Sequence, residues 1–141
     1  GFLVWLRARR PEHYPRIRNG FALAHVFALA IFMLYPCAPP RLFPEHGFAD
    51  ILALPYEANH NPYAVIPSMH FGYASLVGIG LLWLGRATWL RVLGGMYLAL
   101  VLLIIVATAA HFIIDAPLGT LVIVGGLVAC GAFRPLEEPI P

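Results

Sequence analysis

Lysine is absent from the chain, and only 11% of its 141 residues carry a charge of either sign. All nine basic residues are arginine, and the formal charge at pH 7 is +2. A charge that small, and so locally placed, gives no support to a nucleic-acid partner. Cysteine is scarce too. Cys37 falls at one end of an apolar stretch and Cys130 near the opposite end of another, so a disulfide between them would have to cross a bilayer. Both read as ordinary apolar-phase residues. The opening "GFLVWLRARR" has no initiator Met, and its charges follow the apolar run where a signal peptide would place them before it, so it does not read as a signal peptide. It reads as the tail of an earlier span, and residues 1–141 as a single membrane-embedded domain lacking its N-terminal spans.

What fills the chain instead is apolar. Hydrophobic residues make up 60%, and mean hydropathy is +0.78, well above globular usage. Four stretches stand out: 20–36, about 69–85, about 90–110 and 112–133. A span needs roughly 20 apolar residues, so these predict an all-α, polytopic transmembrane bundle. The second stretch is short, which predicts a tilt or a start inside the headgroup layer. Small residues such as Ala74, Gly78, Gly94, Gly95, Gly125 and Gly126 are expected to let the helices pack closely.

Threading the spans in alternation puts every arginine except Arg41 on one side, which marks that side as cytoplasmic. Arg41, His70 and His111 then share the outer face. The loop from about 37 to 68 is rich in proline, which forbids regular helix over most of it. Within it "FADILAL", 48–54, predicts a short helix lying in the interface. The tail "RPLEEPIP" reads as unstructured.

The chemistry gathers on the outer face. In "HFIIDAPLG", His111 and Asp115 are four residues apart, which on a helix would set them one turn apart on one face. A carboxylate there can hold the Nδ1 proton and leave Nε2 as a lone-pair donor, the arrangement of an oriented base or nucleophile. The plain alternative is a structural pair tying two helices together. In "NPYAVIPSMH", Pro67 ends the loop and Ser68 suits the N-cap of the next helix. The first N–H groups of that helix form a ready phosphate site, and His70 beside them can protonate a leaving alkoxide. An N-cap followed by an interfacial histidine would explain the same letters. Arg41, held behind Pro39 and Pro40, suits bidentate phosphate contact or, failing that, snorkelling to headgroups. Asn61 and His60 stand close enough to the motif to touch a substrate, and Tyr63 could do so or anchor at the interface. His25 reads as a neutral packing residue without an acidic partner, and His13 and His46 as exposed.

Assembled, "PCAPPR", "NPYAVIPSMH" and "HFIIDAPLG" make the chain resemble the type 2 phosphatidic acid phosphatase superfamily. More narrowly, it looks like the inositolphosphotransferase-like branch, similar to fungal inositol phosphorylceramide synthase. The resemblance implies a bundle of six spans, four of them complete here, with a Pro-rich outer loop. It implies in-line attack by His111 on phosphorus to give a phosphohistidine, with Asp115 orienting the ring. His70 would protonate the departing alkoxide and then activate water or an acceptor alcohol. Ser68, Arg41 and the helix N-terminus would hold the phosphoryl oxygens. No metal or other cofactor is implied. The partners implied are a lipid-linked phosphate substrate, the bilayer and a polyol or alcohol acceptor, at the extracytoplasmic face of the plasma (cytoplasmic) membrane.

Two departures matter. Without lysine the chain cannot carry the Lys-x6-Arg-Pro motif usual in the superfamily's phosphatases, and Ile104 and Ile105 stand where a Ser-Arg pair is usual before the nucleophile. A dianionic phosphomonoester would want those cations. A phosphodiester needs fewer, which favours the transferase-like branch and argues against a vanadium haloperoxidase. Two other classes remain: a metal-binding or transport protein with His70, His111 and Asp115 as ligands, and a catalytically inert membrane subunit.

Overall fold

The structure is a computed structural model that describes residues 1–48, 61 and 63–135. Among these residues it is all-α, with five helices: α1 Phe2–Arg9, α2 Tyr14–Leu34, α3 Met69–Leu84, α4 Thr88–Ala107 and α5 Asp115–Ala129. The "FADILAL" segment beyond Phe48, His60 and the tail beyond Pro135 lie outside the described residues.

Local chemistry sets the helix limits. Helix α2 starts well ahead of residue 20 because Pro15 fits its first turn, where a missing N–H is no loss. Helix α3 starts at Ser68, whose hydroxyl accepts the Phe71 N–H. Helix α5 is shorter than the 112–133 stretch predicts. It begins only at Asp115, and at its far end Gly131 adopts φ +66. There the Ala132 N–H donates to the Leu127 carbonyl and the Gly131 N–H to that of Val128, a left-handed stop that glycine takes at no steric cost.

Two helices, α2 and α4, are long and apolar enough to cross a membrane, while α3 and α5 are shorter apolar helices. Helix α5 packs against both α2 and α3, and α4 lies against α3. Two glycine contacts hold these pairs close. A Cβ on Gly126 would strike the Gly20 carbonyl, and one on Gly94 would sit 2.7 Å from the Gly78 carbonyl oxygen. Their neighbours correct the expectation of uniform packing, for a Cβ on Gly95 or Gly125 would meet nothing within 4 Å. Helix α4 turns apolar side chains outward: Trp89 is 66% exposed, Met96 65% and Leu103 65%. A surface that apolar is suited to lipid rather than water.

The two ends of the bundle differ in charge. At one, Arg10 donates to the Leu84 carbonyl, Arg91 to that of Gly85, and Arg16 to those of Gly131 and Arg134. Arg41 belongs to the other end, where its backbone N–H donates to the Ala109 carbonyl at 3.0 Å. His13 is half-buried with its ring edge-on to Trp83, not exposed as expected. His25 has no acidic partner among the described residues but is hydrogen-bonded, Nδ1 to the Phe21 carbonyl and Nε2 to the Tyr73 hydroxyl.

Candidate active site

Three pieces of chain meet at the Arg41 end: the turn at Pro39–Arg41, the entry to α3, and the connection between α4 and α5. The last of these is tight. Ala109 takes φ +49, and the Ala110 and His111 N–H groups both donate to the Ile105 carbonyl. The chain therefore turns before His111, and the expected single helix through His111 and Asp115 is not what forms. His111 lies in the connection and Asp115 opens α5. The pair meets anyway, because the Asp115 carboxylate folds back over the turn. Its Oδ2 accepts the Phe112 N–H at 2.9 Å and faces His111 Nδ1 at 3.4 Å.

Asp115 is fully buried and His111 is 5% exposed. Neither His111 Nδ1 nor Asp115 Oδ1 has a hydrogen-bond partner among the described residues. At 3.4 Å the ring and the carboxylate face each other without closing a hydrogen bond. Burial, and next the neighbouring His70, push the His111 pKa down to about 4, with the Val65 carbonyl partly opposing. The sign is plain: a lowered value leaves the imidazole neutral at pH 7, with a lone pair to give.

That lone pair points at His70. His111 Nε2 and His70 Nδ1 are 3.1 Å apart, with the two rings edge to face. In the tautomer with the His111 proton on Nδ1, facing Asp115 across 3.4 Å, Nε2 accepts from His70. The result is a line of three groups, Asp115, His111 and His70, running from the buried interior to an exposed ring on the first turn of α3. Among the described residues no three His, Cys, Asp or Glu side chains are grouped as a metal site.

Ser68 secures the entry to α3. It is fully buried, caps the helix through Oγ to the Phe71 N–H at 3.3 Å, and donates its own N–H to the Asp115 carbonyl at 3.1 Å. Its hydroxyl keeps a proton to donate. Arg41 is 7% exposed, which excludes simple snorkelling, and it is tied to the site through Ala109, two residues before His111. Asn61 and Tyr63 lie in an exposed turn leading to Ser68, where the Asn61 carboxamide accepts the Tyr63 N–H at 3.0 Å. Both are exposed and are not part of the buried group.

Gly119 is the participant that sequence reasoning missed. A Cβ there would collide with the Ser68 carbonyl, so only glycine lets α5 approach the α3 cap. Its signal was present in "DAPLG": it lies four residues after Asp115, on the same helical face.

A buried carboxylate–imidazole pair touching a second imidazole, at one end of an outwardly apolar helix bundle, defines a class: membrane proteins with a polar centre at the helix ends. The chain belongs to the PAP2 superfamily, whose family model matches residues 1–131. It is thus a membrane protein and an enzyme of the lipid phosphatase/phosphotransferase type, with lipid phosphates in general as substrates. No curated protein and no solved structure matches the chain.

Proposed function

We propose that His111 is the nucleophile of a lipid phosphotransferase or phosphatase whose centre opens on the outer membrane face. The observation that carries this reading is the 3.1 Å contact between His111 Nε2 and His70 Nδ1, backed by buried Asp115. In the first step Nε2 attacks phosphorus, the P–N bond forms, and the P–O bond to the leaving alkoxide breaks. The alkoxide takes a proton from His70. In the second step His70 removes a proton from water or an alcohol, whose oxygen attacks phosphorus and releases the histidine. The contact leaves no room for phosphorus between the rings, so the exposed His70 ring has to swing aside as substrate enters. Ser68, Arg41 and the first N–H groups of α3 hold the phosphoryl oxygens.

Buried Ile105, where the superfamily's phosphatases usually place an arginine, supports the transferase-like branch and a phosphodiester substrate. The separation of arginines from the histidine end supports a cytoplasmic basic end and an extracytoplasmic site in the plasma membrane. In that frame α2 to α5 are four spans of a six-span domain. At 16 and 15 residues α3 and α5 reach only about 24 and 22 Å, less than a core of roughly 30 Å. The histidines would therefore lie recessed within the interface, where a lipid phosphate can reach them.

The test is turnover in EDTA with a panel of labelled lipid phosphates and phosphodiesters, following lipid product and free phosphate together. Activity is expected to persist without metal, with product forming on an alcohol acceptor. Silencing by EDTA and rescue by zinc would make His70, His111 and Asp115 metal ligands instead.

An apolar groove of about 580 Å3 between α2 and α5 supports a lipid substrate. It is lined by Phe27, Ile31, Leu121 and Gly125 and ends at Ile66 and Pro67, directly before Ser68. A Cβ at Gly125 meets nothing within 4 Å, so Gly125→Leu is expected to place its side chain in the groove. The variant is expected to raise KM about tenfold for a long-chain substrate, at roughly 0.8 kcal/mol per displaced methylene. A short-chain soluble analogue should keep its wild-type KM, and equal KM changes for both would remove the groove from the reading.

A further inference from the structure

The basic end of the bundle holds a second site. A cleft of about 490 Å3 lies between the end of α1 and the turn joining α3 to α4. Its walls are Arg9, Arg10, Arg86, Trp5, Trp89 and Leu90, with Ala87 between them. The volume falls within the roughly 300–1,000 Å3 usual for small-molecule sites. Three arginines line it and, among the described residues, no carboxylate does.

The arginines divide by role. Arg10 donates Nη2 to the Leu84 carbonyl at 2.9 Å, which pins the end of α1 against the α3–α4 turn. Arg91, just outside, donates to the Gly85 carbonyl and steadies the same turn. The cleft is thus braced from both sides. Arg9 and Arg86 are exposed, and neither has a hydrogen bond or ion pair among the described residues. Two unpaired, forked cations facing one cleft recognise a phosphate oxyanion, for which bidentate contact is the natural geometry. Trp5 and Trp89 add amphipathic rings of the kind that settle at headgroup level. Beside them, Trp89 and Leu93 turn an apolar face outward along α4, where an acyl chain would continue from a bound headgroup.

We infer that this cleft binds the phosphate of an anionic phospholipid, drawn from the leaflet opposite the histidine centre. The site is independent of the catalytic reading: it would hold lipid even in a chain that transferred no phosphoryl group. Its chemistry could also be met by free phosphate, and the test separates the two sources.

The experiment is native mass spectrometry of the full-length protein released from nanodiscs containing phosphatidylglycerol and phosphatidylcholine in equal parts. Wild type is expected to retain phosphatidylglycerol preferentially. Arg9→Gln with Arg86→Gln is expected to lower that retention on the order of tenfold, as loss of two cations near a lipid surface predicts. The control is Arg7→Gln with Arg18→Gln, which removes the same charge from exposed arginines stacked on Tyr14 outside the cleft. It is expected to retain lipid as wild type does. Equal loss in both double variants would mean diffuse attraction and overturn the site, as would equal retention of phosphatidylcholine. Displacement of the lipid by millimolar inorganic phosphate would overturn the lipid source. All four substitutions are on exposed side chains, and a wild-type thermal midpoint confirms that the fold is intact.

Discussion

His111→Ala is expected to cut lipid-phosphate turnover by at least about a thousandfold, because it removes the attacking atom itself. His70, Ser68 and Arg41 would remain to bind a phosphate that nothing attacks. The substitution also strips the Asp115 carboxylate of its facing imidazole, leaving the Phe112 N–H as its hydrogen-bond donor. Some stability should be lost with it, so turnover is read beside a melting curve in the same detergent. A rapid quench with labelled substrate isolates the chemistry. Wild type should carry label on protein that survives alkali and is lost in acid, and the variant should carry none. Asp115→Asn makes the companion measurement. Acting only through the ring of His111, it should lower turnover by a smaller factor and still allow label to form. A variant lacking His111 that kept a tenth of wild-type activity would remove this residue as nucleophile.

Gly119→Ala, a single methyl group, is expected to damage both stability and activity. The new Cβ would collide with the Ser68 carbonyl and approach the Gly72 nitrogen to 3.3 Å. Backbone cannot swing aside as a side chain can, so α5 would have to back away from the α3 cap. Overpacking of that kind costs about 1–3 kcal/mol. The same movement would stretch the bond from Ser68 N–H to the Asp115 carbonyl and pull the carboxylate from His111. A displacement near 1 Å can cost on the order of a hundredfold in rate. Gly95→Ala is the matched control, since its Cβ also meets nothing within 4 Å and it lies outside the groove. It should cost neither stability nor rate. Thermal midpoints and single-turnover rates for the pair decide the matter. A Gly119→Ala enzyme with wild-type rates would show that the close approach is not needed to hold the site.

The two glycines of 125–126 mark the boundary between what sequence and structure each supply. In the sequence they are one feature, a pair of small residues in an apolar run. In the structure Gly126 lies against Gly20 while Gly125 borders an open groove, because adjacent residues on a helix point about 100° apart and only one can face a given neighbour. His111 and Asp115 make the same point. Their spacing of four predicted proximity, and proximity is found, but His111 lies in the connection that follows the turn at Ala109 and Asp115 is the first residue of α5, so the two do not share a helix.

By itself, the sequence determined what depends on composition and on neighbours along the chain. The apolar runs dictated helices, Ser68 dictated where α3 begins, and the lopsided arginines separated a basic end from a histidine end. The residue types at 68, 70, 111 and 115 also named the candidate chemistry. Only the tertiary structure decided the contacts that helices make with one another. These include the touch between His70 and His111, the burial of Arg41, the glycine approach at 119 and the braced arginine cleft. The reason is geometric. A helical period tells which residues share a face, but the rotation and height at which two faces meet are set by packing summed over the whole interface, and no short stretch of sequence contains that sum.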